Sequence, residues 1–417
     1  MSFITAHETL GFVGSADLLR VFKIGEKTEP KEAFSWDQLQ PELIKKPDFQ
    51  IREELLHVSK REEAFSWDQL QPDLIKKPDF DEEKALKSVE KRHILCLAHS
   101  NTHHWLAVGT NEKQIHVIEY FLDSEGNFER SQHLITAIVP KAPTALAFDK
   151  EDAYIVVGDR AGDVHRFSIS DGKAVELAGA ISMVLDIGFT PSGKQLLMTD
   201  RDEKLRVMRY PETYVIDAYC LGHTEYVKTL ACQTEDIVWT AGGDKKVYKW
   251  SISNPTKPLA TVDLSEYNTA IRKIAYVEEH KRLAILLEEP QDRLIFADVS
   301  DSKAHLSVFQ ILREGQYLDV TTVGDKFVVL GRDNIIVFEA SDLRQQHVKV
   351  DEVLVKSLRA CEDAVSNLYK NVSHQNQAEY EKRKAEKMEF LAEKKRKTEE
   401  VIAKHYPDAY KRMQDKK

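Results

Sequence analysis

Short alternating apolar and polar runs, each closed by a turn, recur along this chain, and one layout returns seven times. Each copy has an apolar run of strand length, a turn of small or acidic residues, and then an alternating strand. The copies are Leu10–Ile24, Leu106–Ile118, Tyr154–Phe167, Gln195–Met208, Asp236–Trp250, Arg282–Phe296 and Lys326–Phe338. One apolar position after each turn marks the phase: Leu19, Ile115, Val164, Leu205, Val247, Leu294 and Ile335. Their successive separations are 96, 49, 41, 42, 47 and 41 residues. Five of the six lie near the roughly 40–45 residues that four antiparallel strands occupy in a propeller blade. The longest one is a blade plus an insertion. The pattern predicts an all-β chain folded as a seven-bladed β-propeller. Residues 1–25 supply its first strands, 26–91 an insertion, and 92–355 the remaining blades, with a linker and a charged helical tail over 356–417.

The fifth copy carries the sharpest local signal. Gly222-His223 is followed 27 residues after the His by Trp250, Asp244 lies in the turn between them, and Thr240 stands four residues before Asp244. In WD-repeat blades a Gly-His, a strand Ser or Thr, a turn Asp and a Trp form a buried hydrogen-bonded tetrad. Here the candidates are His223, Thr240, Asp244 and Trp250. A buried imidazole needs both ring nitrogens satisfied, and an Asp held by turn amides can satisfy one. The other copies are degenerate, although Asp17, Asp163 and Asp202 fall in corresponding turns.

The insertion contains a near-perfect tandem duplication. Residues 32–49 read EAFSWDQLQPELIKKPDF and residues 63–80 read EAFSWDQLQPDLIKKPDF, differing only at Glu42 against Asp73. One reading is a duplication in a surface loop that absorbs length cheaply. A sharper one is a pair of partner-binding motifs, anchored by Phe34 and Trp36 and by Phe65 and Trp67, which would gain by avidity.

Charge is divided along the chain. The 59 Lys plus Arg against 69 Asp plus Glu give a net charge of −10. Residues 378–417 hold 13 basic and 9 acidic side chains, so this +4 leaves −14 on residues 1–377. Such an acidic body does not fit a protein that binds nucleic acid over its whole surface. The tail lacks Gly and has one Pro, which favours helix. Its basic clusters, Lys382, Arg383 and Lys384 and then Lys394, Lys395, Arg396 and Lys397, suit a phosphate contact or a nuclear import signal. A solvated charged helix is the plainer alternative.

Several classes drop out. No apolar run approaches the roughly 20 residues needed to span a bilayer, and the first residues do not read as a signal peptide. Cys96, Cys220, Cys232 and Cys361 show neither zinc spacing nor a disulfide framework, which suits a reducing compartment. No Gly-x-Gly loop, P-loop, G-x-S-x-G elbow or H-E-x-x-H helix occurs. The adjacent pair His103-His104 reads as a turn into Trp105, because neighbours on a strand face opposite ways and cannot share a metal. The sequence does not look like an enzyme, and no metal or cofactor site is expected in it.

Residues 185–227 narrow the reading further. Leu185-Asp186-Ile187 leads to TDRDEKLRV at 199–207 and YCLGHTEYV at 219–227. Together with Asp159-Arg160-Ala161-Gly162-Asp163-Val164 and Asn367-Leu368-Tyr369-Lys370, these resemble the WD-repeat, non-catalytic subunit of eukaryotic tRNA guanine-N7 methyltransferases. The resemblance implies a nuclear scaffold that binds and stabilises a catalytic subunit. That partner would hold S-adenosylmethionine and methylate a guanine in the tRNA variable loop. It also implies a contact surface at Arg201, Asp202, Glu203, Lys204 and Arg206. Lys204 and Arg206, two apart on a strand, share one side and can face acidic groups. Against this stands the structural reading: Arg206 aligns with Arg20, His116, His165 and Tyr248, Lys204 with Lys246, and Asp202 with an ordinary turn acid.

The acidic body implies that most tRNA affinity comes from the partner, with the basic tail as this chain's own approach to RNA. A generic WD-repeat adaptor, such as a ubiquitin-ligase substrate receptor, is the alternative. Ser251-Ile252-Ser253 after Trp250, where such receptors often carry Arg, argues against it. A carboxylate-based nuclease is a third class, and nothing singles out its residues.

Overall fold

The first strand of every copy, which is the second strand of its blade, is apolar because both of its faces are covered. In a computed structural model of the chain, seven antiparallel sheets each place their second strand between neighbouring sheets. That strand is buried at five or six of its six positions in all seven. A strand buried on both faces reads as a continuous apolar run rather than an alternation. The structure describes residues 2–7, 10–15, 18–24, 31–34, 44–45, 93–288, 293–300, 307–312, 317–348, 350–359 and 368.

The sheets are the seven predicted blades. Blade 1 opens with Ser2–His7, blade 2 with Ile94–His99, blade 3 with Pro143–Phe148 and blade 4 with Val184–Phe189. Blades 5, 6 and 7 open with Val227–Cys232, Ile271–Val277 and Tyr317–Val323. These opening strands neighbour one another around the ring, and blade 7 meets blade 1. Seven apolar clusters fill the seven seams, one for each pair of adjacent blades. Side chains of the inner strands also reach the next blade. Asp186 Oδ2 accepts the Leu230 amide at 3.0 Å, and Asp319 Oδ2 accepts the Ile4 amide at 3.0 Å, which ties blade 7 to blade 1.

Among the described residues no strand crosses that last seam. Blade 1 is wholly N-terminal, and blade 7 is built from residues 317–348. Helix α1 (Glu352–Arg359) covers the junction instead. Its Leu354 and Leu358, one turn apart, pack with Ile4, Val13, Leu318 and Val328 from both blades. Asp351 caps the helix by accepting the Leu354 amide at 2.7 Å, and it pairs with Arg20 of blade 1 at 3.4 Å. The charged helix expected over 378–417, with Lys382–Lys384 and Lys394–Lys397, lies outside the described residues.

Two pieces of the expected insertion belong to blades. Lys31–Glu32 is the outermost strand of blade 1, with Glu32 opposite Arg20. Ile44–Lys45 adds a parallel strand to the outer edge of blade 2, opposite Thr136 and Ala137. Phe34, an anchor for a partner in the sharper of the two readings of the duplication, is 3% exposed and packs between blades 1 and 2. Lys-Glu-Ala-Phe is too short to announce a strand by alternation. Trp36, Phe65 and Trp67 lie outside the described residues.

Candidate functional site

Blade 5 holds the predicted tetrad intact. His223 Nδ1 lies 2.9 Å from Asp244 Oδ2, and His223 Nε2 lies 2.8 Å from Thr240 Oγ1. Trp250 Nε1 donates to the same hydroxyl at 2.8 Å. Gly222 is required there, since a Cβ would stand 2.9 Å from the Trp250 ring. All four side chains face inward, so the tetrad is internal scaffolding.

The neighbouring blade 4 is built differently. Its second and third strands, Gln195–Asp200 and Lys204–Arg209, are joined by the turn that carries Arg201, Asp202 and Glu203. The turn is held by Asp200, not by Asp202. Asp200 Oδ1 accepts the amides of Asp202 at 2.9 Å and Lys204 at 3.2 Å, and Glu203 takes a left-handed φ of 72°. In blade 3 the same task falls to Asp159, whose Oδ1 accepts the amides of Ala161, Gly162 and Asp163. Asp202 lies in its turn and Asp163 at the end of its own, within the register read from the sequence, while the carboxylates seen to accept the turn amides are those of Asp200 and Asp159 at the end of the preceding strand; Asp17 lies outside the described residues.

Lys204 and Arg206 share one face of their strand, as expected, with Leu205 and Val207 buried on the other. The blade positions aligned with Arg206 turn inward at His116, His165 and Tyr248, which are all buried. Arg206 stays half-buried. Its Nη1 donates to the Gly179 carbonyl of blade 3 at 2.9 Å, and its guanidinium stands 5.4 Å from the Tyr219 ring centroid. This cation is therefore fixed across the seam of blades 3 and 4, not extended freely from the rim.

Beside the two cations lies an apolar surface that the sequence reading did not pick out. Among the described residues, seven large apolar side chains are exposed, and five of them are Ile181, Tyr214, Ile216, Tyr219 and Leu221. Ile181 is fully exposed in the connection that enters blade 4, and Arg201 donates its amide to Met183 two residues later. Tyr219 and Leu221 lie on the outermost strand, Ile216–Leu221, opposite Arg206 and Lys204 respectively. Ile216 pairs with Met208 and Tyr214 lies in the loop beyond Arg209, at the other end of that strand, so Tyr219 and Leu221 are the exposed apolar residues opposite the cations. Exposed apolar side chains grouped in this way mark an interaction surface. The sequence did contain a signal. An outermost strand should show one polar face, yet Ile216-Asp217-Ala218-Tyr219-Cys220-Leu221 has apolar residues on both.

Elsewhere the chemistry is structural. His103 stacks on Trp105 at 4.0 Å and meets Asp152 at 3.2 Å, while His104 stacks on Tyr120. The adjacent histidines thus serve different partners in the turn of blade 2. Asp159, Asp163 and His165 come close enough to share a cation, as do Glu279, His280 and Asp325. In the first group the Asp159 carboxylate is already engaged by three turn amides. Burial pushes the thiols of Cys220 and Cys232 up to about 12, far from a reactive thiolate.

Fold and site together define a WD-repeat propeller whose blade 4 exposes apolar side chains beside Lys204 and Arg206. The family model "tRNA methyltransferase TRM82 WD40 domain" matches residues 45–178 and 172–355. A Caenorhabditis elegans protein named tRNA (guanine-N(7)-)-methyltransferase non-catalytic subunit is 48% identical over 96% of this chain and 97% of its own length. The wuho non-catalytic subunit of Drosophila melanogaster is 34% identical over 37% of this chain and 36% of its own. TRM82 of Candida glabrata is 33% identical over 27% and 30% respectively. A chain of a mitotic checkpoint complex crystal structure aligns with a TM-score of 0.51 and 13% identity, over 82% of this chain and 87% of that one, a likeness of fold alone. The chain belongs to the family of non-catalytic subunits of tRNA (guanine-N7)-methyltransferases. It is not itself the catalyst, and these relatives do not favour the ubiquitin-ligase adaptor.

Proposed function

We propose that this chain is the scaffold on which the catalytic subunit of a tRNA guanine-N7 methyltransferase is held in its active conformation, docked on the rim of blade 4. The observation that carries this reading is the concentration of exposed Ile181, Tyr219 and Leu221 around Lys204 and Arg206. Apolar anchors supply affinity, while Arg201, Asp202, Glu203, Lys204 and Arg206 set register and association rate. The methyl donor S-adenosylmethionine and the transfer step belong to the partner. tRNA is held mainly by that partner, since the −14 body of residues 1–377 repels phosphate. The basic tail contributes a phosphate contact or the signal for a nuclear location.

Co-purification with the catalytic subunit, followed by tRNA guanine-N7 methylation, tests this. Wild type forms an active complex, and Lys204→Glu/Arg206→Glu, still folded, does not. A wild-type chain that captures no methyltransferase overturns the scaffold. A charge-reversed chain that still captures it overturns the surface. Truncation after His374 leaves the binary complex intact but weakens tRNA binding or nuclear accumulation. If neither changes, the tail is only a solvated helix.

A further inference from the structure

The tandem duplication has a structural counterpart. Its first copy shows where the repeated segment docks. Glu32 pairs with Arg20 on blade 1, and Ala33 and Phe34 fill an apolar seam with Phe12, Ile94, Leu106 and Tyr120. Ser131 of blade 2 donates its hydroxyl to the Ala33 carbonyl at 2.5 Å, and the His133 ring lies 6.4 Å from that of Phe34. Ile44–Lys45 then pairs with Thr136 and Ala137. Residues 32–34 thus bridge blades 1 and 2, and residues 44–45 extend the edge of blade 2.

Every residue making these contacts recurs. Glu32, Ala33, Phe34, Ile44 and Lys45 return as Glu63, Ala64, Phe65, Ile75 and Lys76. Between the copies, Glu42 against Asp73 is the single change, and neither residue is among those making the contacts. Just outside them, Lys31 becomes Glu62; Lys31 pairs with Val21 through its backbone, which any side chain permits. Among the described residues of the dock, 32–34 and 44–45, nothing distinguishes one copy from the other by chemistry.

We propose that the seam between blades 1 and 2 is a dock with two alternative occupants, and that residues 63–80 of the same chain exchange with residues 32–49. Loop closure sets the ratio. With the first copy docked, the links to Lys23 and Ile94 are about 7 and 48 residues; with the second they are about 38 and 17. The closure cost scales with the logarithm of length, so the first copy is favoured by only about threefold. Even the shorter link of about 17 residues reaches about 55 Å when extended, ample for blade 2. Whichever copy is displaced carries the same Glu-Ala-Phe-Ser-Trp string.

A photoreactive benzophenone residue in place of Ser131, in the full-length chain, reads the occupant directly. Peptides 32–45 and 62–76 are told apart by mass, through the additional Glu62 and through Glu42 against Asp73. Both should be captured within monomers, the first in about threefold excess. Capture of the first alone overturns the exchange. So does capture of the second only between chains, because the occupant would then come from another copy. Stability supplies the second measurement. Phe34→Ala leaves about a quarter of the docked weight and Phe65→Ala about three quarters, while the double variant loses the anchor altogether. If Phe34→Ala costs as much as the double variant and Phe65→Ala is silent, the dock has one occupant.

Discussion

Blades 4 and 5 are neighbours with the same four-stranded layout, yet they spend their side chains in opposite directions. Blade 5 turns His223, Thr240, Asp244 and Trp250 inward into one connected hydrogen-bond network. Blade 4 has no such set. It places a cation across the seam at Gly179 and leaves Ile181, Tyr219 and Leu221 exposed. The repeat therefore fixes the backbone without fixing what the rim presents. A blade that gives up the tetrad can carry function because its seams are still filled by their apolar clusters.

The largest effect should come from breaking the blade 5 network while keeping its shape. Thr240→Val removes the hydroxyl that serves both His223 Nε2 and Trp250 Nε1, and leaves two buried polar atoms unsatisfied. A loss of about 2–4 kcal/mol is expected in denaturant unfolding. Affinity for the methyltransferase subunit, measured well below the melting temperature, should be unchanged. A variant that loses binding while keeping its stability would mean that blade 5 is part of the docking surface.

The next effect inverts that pattern. Leu221→Asp and Ile181→Asp place a charge on the apolar rim of blade 4, where solvent already reaches both positions. Stability should move by no more than about 0.5 kcal/mol, as for other exposed sites. Affinity should fall by about 2 kcal/mol or more, roughly thirtyfold, as when an interface anchor is lost. Titration calorimetry against the catalytic subunit reads this, and unchanged affinity in both variants would place the interface elsewhere.

What could be read in advance follows the same division. The seven blades were legible because each second strand is buried on both faces, so its apolar run and the spacing of runs carry the fold. The tetrad was legible because buried polar groups must be paired, and few residue types can do it. Asp202 and Asp163 could be placed at their turns, but the roles of Asp200 and Asp159 could not be read, because spacing to the turn does not say which carboxylate accepts the turn amides. Phe34 could not be placed because a two-residue strand such as Lys31–Glu32 has no period to read. Ile181 and Leu221 went unseen because, in a sequence, an exposed apolar residue looks like a core one.

The smallest effect concerns the two turn acids themselves. Asp200 is 2% exposed, and burial raises its carboxyl above the usual range, while the Lys204 amide and charge and the Asp202 amide pull it back down. The folded state therefore holds this proton more tightly than the unfolded chain does. Its contribution to stability is present in full below the unfolded value of about 3.9 and is lost as pH rises through the raised folded value. Asn has the same shape, can accept both turn amides through Oδ1, and never ionises. Asp200→Asn should accordingly match or exceed wild type at pH 7, by less than about 1 kcal/mol, with the difference shrinking toward pH 4. Asp244→Asn should lose stability at pH 7, because its second oxygen faces His223 at 2.9 Å and an amide nitrogen there would oppose a ring N–H. Paired thermal melts at pH 4 and pH 7 compare the two blades directly. If Asp200→Asn also loses stability at pH 7, the ionised carboxylate of blade 4 is needed by the fold, and the two turns are built on one design after all.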